Sequence, residues 1–138
     1  MLSNTRILPV EFGHCDPSGI VYNPNYFIWF DLSVHALLAA GGLSLKRLVD
    51  DCGIDGIPVV DYRCKFLSPA RWGDELIIES SVSALHRCAF DIQHKISNNS
   101  ALAVECSETR VCTALDPQQK KVKAFPLPER LVKAFSGV

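Results

Sequence analysis

The chain has almost no net charge: 14 lysines and arginines stand against 15 aspartates and glutamates over 138 residues, a balance of −1. A nucleic-acid binder normally carries a basic excess, so no nucleic-acid partner is expected. Long hydrophobic runs are also missing. The most apolar segment, Tyr26 to Ala40, is interrupted by Asp31, Ser33 and His35. Nothing reaches the roughly 18 apolar residues a membrane span needs. Met1 to Val10 has one arginine and no apolar run of signal-peptide length, so no secretion signal is expected. Repeats, low-complexity tracts and linkers are absent. The six cysteines (Cys15, Cys52, Cys64, Cys88, Cys106 and Cys112) form no CxxC pair and no Cys/His spacing of a zinc site. They read as reduced thiols of a cytoplasmic protein, used mostly as small apolar side chains.

What is there reads as one domain, 1–138. Apolar residues make up 48% and charged ones 21%, which excludes a disordered or fibrous chain. A chain this long buries roughly two-thirds of its unfolded surface, so one core suffices without disulfides or metals.

The first ten residues read as a strand. A loop follows from Gly13 to Asn23, with Gly13, Pro17 and Gly19 in it. Asn23-Pro24 predicts a helix start: asparagine is a good N-cap, and proline fits the first helical position because its missing N–H would be unpaired there. Gly41-Gly42 is a matching stop. The helix between, Pro24 to Ala40, is apolar nearly all round, which predicts burial in a core or by a partner. A short helix is expected at Leu45 to Cys52, capped by Ser44. From Val59 the period changes to two. Val60, Tyr62, Cys64 and Phe66 form one face of a strand, Leu76 to Leu85 a second strand, and Phe90, Ile92, His94 and Ile96 one face of a third. Ala101 to Leu115 reads as one long strand, Val122 to Phe125 as a short one, and Pro128 to Phe135 as a terminal helix. The class is α+β: an antiparallel sheet of about five strands wrapped around one long buried helix.

Chemistry concentrates between Glu11 and Tyr26. Asp16 sits in the loop just before the buried helix, whose N-terminus presents unpaired N–H groups and a partial positive charge. Such an end can hold an oxyanion, and a carboxylate beside it can act as nucleophile or general base. On local grounds alone Asp16-Pro17 also fits an ordinary turn. His14 and Cys15 offer a thiol–imidazole alternative, but adjacent residues seldom converge on one ligand, and no further donors suggest a metal.

Phe12, then Asp16-x-x-Gly19-Ile20-Val21-Tyr22-x-x-x-Tyr26, then Trp29-Phe30-Asp31 resembles the 4-hydroxybenzoyl-CoA thioesterase family of hot-dog-fold proteins. Phe66-x-x-Pro69-x-x-x-Gly73-Asp74 is a more generic marker of the same folds. The resemblance implies a hot-dog fold and acyl-CoA thioesterase activity on an aromatic or short acyl group. It implies a catalytic carboxylate at Asp16 and an oxyanion contact from the backbone N–H of Asn23, Pro24 having none. It puts Tyr22, Tyr26, Asp31, Ile57, Pro58, Val59 and Arg87 on the substrate. Asp31 would border the acyl pocket and Arg87, with His86 beside it, would meet the CoA phosphates; Arg63, Lys65 and Arg71 are other candidates for that contact. Ile57 is apolar where the hydroxybenzoyl enzymes are polar, which argues against a 4-hydroxyl on the substrate. No cofactor is implied beyond the coenzyme A of the substrate. A homo-oligomer, dimer or dimer of dimers, with active sites at subunit interfaces is. The rival is a non-catalytic acyl-CoA or acyl-carrier-protein binding module on the same fold; the presence of Asp16 argues against it, since a binder gains nothing from an anion beside an oxyanion site.

Overall fold

The computed structural model describes residues 1–137. Five strands form one antiparallel sheet in the order β1-β3-β4-β5-β2: β1 Ser3–Pro9, β2 Val59–Phe66, β3 Glu75–Leu85, β4 Ala89–Asn98 and β5 Ala101–Val111. The long helix α1, Pro24–Ala40, lies against one face of this sheet. Its buried residues, Tyr26, Trp29, Phe30, Ser33, Val34, Leu37 and Leu38, recur at three- and four-residue steps and so share one side. They meet the inward residues of the strands, among them Leu76, Ile78, Ile92, Ile96 and Val104. The opposite side of α1 is apolar too, but this chain leaves it open, with Ile28 55% and Leu32 47% exposed.

Local chemistry accounts for the helix ends. Pro24 occupies the first position of α1, and Gly42, at φ +76°, lets the chain turn back so that the Leu43 N–H reaches the Leu38 carbonyl at 2.9 Å. The second helix α2, Leu45–Cys52, is capped by Ser44, whose hydroxyl oxygen accepts from the Arg47 N–H at 3.2 Å. The terminal helix α3, Glu129–Ser136, buries Leu131 and Phe135, and Phe135 meets Phe90 edge to face at 5.1 Å.

Two expectations need correction. Asn23 does not cap α1 with its side chain; its backbone is already helical, at φ −49° and ψ −41°. The strand expected from Ala101 to Leu115 is two strands. It breaks at Cys112, after which β6, Thr113–Asp116, pairs with β7, Lys121–Ala124, in a separate ribbon. Cys112 and Thr113 are both buried, so the in-out alternation fails there. The Thr113 N–H bonds to Gly56 at 3.0 Å instead of continuing the sheet.

Phe30 is fully buried, and its ring lies 4.9 Å from His94 and 5.9 Å from Phe27. Phe30→Ala should therefore destabilise the fold by ~3–5 kcal/mol, read as a lower urea midpoint at unchanged slope. A midpoint close to that of the unchanged protein would show that the α1–sheet seam is not the core.

Candidate active site

The loop from Val10 to Asn23 is tied down by backbone bonds at both ends. The Val10 N–H bonds to Asp74 at 2.7 Å and the Val21 N–H to Ala70 at 2.9 Å, which anchors the loop to the start of β3. Within it, Cys15 pairs with Val21 across a narrow hairpin, and Ile20 pairs with Arg71. Asp16 stands one residue beyond that pair, toward the hairpin tip. Its N–H bonds to the Ile20 carbonyl at 3.0 Å, and its Oδ1 accepts from the Ser18 N–H at 2.9 Å and from the Ser18 hydroxyl. Its Oδ2 has no hydrogen bond among the described residues. One oxygen is thus fixed and the other is open.

Two residues toward the helix on the other arm stands Asn23. At this end of α1 the N–H groups of Asn25 and Tyr26 are taken by the carbonyls of Tyr22 and Asn23, at 2.9 and 3.0 Å. Pro24 has no N–H. That of Asn23 is left without a partner among the described residues, at the positive end of the helix dipole. Asp16 lines a cavity of about 400 Å³ together with Phe12, Pro17 and Trp72. Asn23 lines a neighbouring one of about 300 Å³ with Ile20, Tyr26, Phe66 and Pro69. The hairpin contributes to both, with Cys15, Asp16, Pro17 and Gly19 on the first and Ile20 and Val21 on the second.

His14 and Cys15 are structural residues of the loop. His14 accepts the Glu11 N–H on Nδ1 at 2.9 Å, and its ring stands 5.1 Å from Trp29, edge to face. Cys15 packs against the core around Tyr26 and Trp29. Tyr26 is buried to 3% exposure between Trp29 and Phe66, and burial pushes its phenol above the usual range. Tyr22 is exposed.

The remaining candidates gather elsewhere. Asp31 is eight residues beyond Asn23, about 12 Å along α1. Near it lie Ile57, Pro58 and Val59, at the start of β2. The Pro58 carbonyl accepts from Val111 at 3.1 Å, and the Cys88 carbonyl, next to Arg87, from Cys112 at 2.7 Å. Arg87 sits exposed in the β3–β4 turn, and the 11 residues of β3 separate it from the Asp16 loop, a span of about 35 Å. One chain therefore does not bring Arg87 to Asp16. His86, exposed beside Arg87, is bonded through Nε2 to Asp91 at 3.0 Å. Ile57 is 4% exposed and packs with Val34 and Leu37, so its side chain faces the core of this chain. The Arg71 guanidinium, by contrast, lies beside Gly19 in the Asp16 loop.

The sequence model of a family described as the thioesterase-like superfamily matches residues 10–135. A 4-hydroxybenzoyl-CoA thioesterase from Pseudomonas sp. is 30% identical over 133 residues, covering 92% of this chain and 93% of that protein. The chain belongs to the 4-hydroxybenzoyl-CoA thioesterase family. A 1,4-dihydroxy-2-naphthoyl-CoA hydrolase from Synechococcus elongatus is 29% identical, covering 88% of this chain and 87% of the relative. A crystal structure of a 4-hydroxybenzoyl-CoA thioesterase, in an aspartate-to-asparagine mutant complexed with 4-hydroxybenzoyl-CoA, superposes with a TM-score of 0.89 at 28% identity. It covers 98% of this chain and 99% of that one. The hot-dog fold expected from the sequence is the fold of this family member.

Three features of the site were not singled out from the sequence. Ser18 grips Asp16, and a serine two residues after an aspartate is the usual signal for such a turn. Trp72 meets Phe12 edge to face at 5.4 Å on the rim of the Asp16 cavity. Arg110, buried to 3% exposure, bonds Asp31 at 3.0 Å. Its signal was parity: with Glu108 it continues the inward face of β5 after Val104 and Cys106, a face where apolar residues are expected.

Proposed function

We propose that this protein hydrolyses the thioester of an aromatic (benzoyl-type) or short-chain acyl-CoA to free acid and CoA, with Asp16 as the reacting carboxylate and the Asn23 N–H as oxyanion donor. As a member of its family the chain is an acyl-CoA thioester hydrolase. The aromatic acyl group is favoured because the relatives at 29–30% identity are named for aromatic acyl-CoA thioesters. The observation that carries the residue assignment is the state of the two groups at the start of α1. Among the described residues Asp16 keeps one carboxylate oxygen free while Ser18 fixes the other, and the Asn23 N–H has no partner. The free oxygen either attacks the thioester carbonyl, giving with loss of CoA thiolate an acyl–Asp16 anhydride that water then hydrolyses to the free acid, or takes a proton from a water that attacks the carbonyl itself. The oxyanion is then held by the Asn23 N–H and the helix dipole. The CoA thiolate leaves readily, so no strong general acid is needed. The reaction written this way uses no metal or redox cofactor.

The second group of residues completes the site across a two-fold axis. β2 is an edge strand with a free side, and Val60 and Phe66 on it are exposed, as are Ile28 and Leu32 on α1. An apolar edge of this kind is a template for another strand. Antiparallel pairing of β2 with its copy sets the Phe66 end of one chain beside the Val59 end of the other. Asp16 and Asn23 of one chain then face Asp31, Pro58, Val59 and Arg87 of the second. On this reading the 35 Å separation inside one chain is a consequence of sharing. A dimer is the smallest complete enzyme, and a dimer of dimers is compatible with it.

The test of the carboxylate is Asp16→Asn in a thiol-release assay over acyl-CoA substrates. A transition-state role is worth at least ~4 kcal/mol, so hydrolysis should fall about a thousandfold or more. The circular dichroism spectrum should not change, since the substitution is nearly isosteric and lies in a loop. Hydrolysis within about tenfold of the unchanged protein would refute the assignment. Cys15→Ser should retain activity in the same assay, and loss there would point back to the thiol.

Arg87→Ala should raise KM for CoA esters about ten- to a hundredfold at low salt, the worth of a charge-assisted phosphate contact, and leave kcat nearly unchanged. Shortened pantetheine thioesters, which lack the nucleotide, should be hydrolysed equally by both proteins. Equal impairment on the two substrates would rule out the phosphate role.

Sharing between subunits has its own signature. In a heterodimer of Asp16→Asn and Arg87→Ala chains, one of the two sites is fully intact. Co-expressing the two variants should therefore restore about a quarter of the unchanged activity below KM, because half the dimers are mixed and half of their sites are whole. Activity equal to the simple average of the two variants would mean that each site is built from one chain.

A further inference from the structure

Four polar side chains lie on the sheet face that packs against α1. Ser80, His94, Glu108 and Arg110 are all at most 3% exposed, and they form one continuous line across β3, β4 and β5. Ser80 Oγ is 2.7 Å from His94 Nδ1, and His94 Nε2 is 2.8 Å from Glu108 Oε2. A carboxylate only accepts, so Nε2 carries a proton toward Glu108, while Nδ1 and the serine hydroxyl share the other hydrogen bond. The other Glu108 oxygen, Oε1, accepts from Arg110 Nε. Arg110 then ends the line with its two remaining nitrogens: Nη2 donates to Asp31 Oδ1 at 3.0 Å and Nη1 to the Ile57 carbonyl at 3.4 Å.

A buried arginine–glutamate pair with a histidine on it is a costly way to fill a core, and apolar residues of the same volume often do as well or better. The line is closed at every buried member. It opens to solvent only at Asp31, whose side chain is 50% exposed and whose Oδ2 faces His35 at 3.7 Å, beyond hydrogen-bond distance. The two groups that Arg110 holds belong to different parts of the fold. Asp31 is on α1, and Ile57 is on the segment leading into β2. Asp31 is among the residues that the function proposed above assigns to the substrate, and the Ile57 carbonyl directly precedes two others, Pro58 and Val59. Burial works against the Arg110 charge, but Glu108 and then Asp31 more than compensate and hold the guanidinium above its usual range. It is a planar cation bonded to three partners.

We propose that Arg110 is a positioning residue of the acyl end of the site, clamping the Asp31 carboxylate of α1 and the backbone before β2 into one rigid wall, with Glu108 and His94 holding the guanidinium in place. The inference rests on the acyl-CoA reading above. A planar fork can satisfy Glu108, Asp31 and the Ile57 carbonyl together, whereas a lysine ammonium keeps the charge and loses that geometry.

The test is the ratio of kcat/KM for benzoyl-CoA to that for acetyl-CoA, since only the larger acyl group extends far enough to feel this wall. Arg110→Lys should lower the ratio about tenfold. Asp31→Ala should lower it by a similar factor, and the double variant by no more than either single one, because the two residues act as one unit. A general loosening of the fold slows both thioesters alike and leaves the ratio where it was. If Arg110→Lys does not fold, Glu108→Gln, which keeps the shape and removes the charge behind the guanidinium, should lower the ratio in the same direction. An unchanged ratio, or effects of Arg110→Lys and Asp31→Ala that multiply, overturns the proposal. If the unchanged protein hydrolyses neither thioester, the acyl-CoA reading itself fails and takes this inference with it.

Discussion

The structure depends on a mismatch between α1 and the sheet that wraps it. A helix with apolar side chains on all sides has more surface to bury than one sheet face can take. The strands cover the Tyr26–Phe30–Leu37 side and leave Ile28 and Leu32 in solvent. The same packing sets the direction of the helix, and so points its free N-terminus at the loop that carries Asp16. It also leaves β2 at the sheet edge with Val60 and Phe66 open. Burial of one side, presentation of the helix end and an unpaired apolar edge follow from one geometry. The proposed chemistry and the proposed assembly both draw on it.

The loop shows how little side-chain machinery the proposed chemistry needs. Backbone bonds to Asp74, Ala70 and His14 hold the hairpin, and one aspartate with one free N–H is what it presents. His14 and Cys15, the two residues that most resemble catalytic groups, are occupied in shaping the turn and filling space around Trp29. Four buried polar groups form the Ser80-to-Arg110 line on the sheet face that packs against α1. The Asp16 loop offers open groups, and the buried line offers saturated ones. That division suits a site whose reacting end must be free and whose far wall must be stiff.

Much of this was legible from the chain alone. Proline at the first helical position and paired glycines at the end bound α1 because they act through their own φ angles and missing N–H groups. The strands showed in the two-residue period because each side chain's face is fixed by its neighbours' covalent geometry. Asp16 stood out because it precedes a helix start. The family resemblance added the roles of Asp16 and Asn23, which local physics left open between a turn and a site.

Tertiary structure decided the rest, wherever a residue's partner lies far along the chain. Asn23 is a good capping residue by type, yet the turn bonds from Asn25 and Tyr26 close the helix end without its side chain and leave its N–H free. Cys112 reads as one more strand position, and only the competing bond from Thr113 to Gly56, 57 residues away, breaks the strand there. Ile57 turned inward because its segment packs on Val34 and Leu37. Arg87 came out at the far end of the sheet from Asp16 because an antiparallel strand of 11 residues runs between them. Sequence determines what each residue can do with its neighbours; which distant group it meets depends on sheet order and on the single direction in which α1 packs.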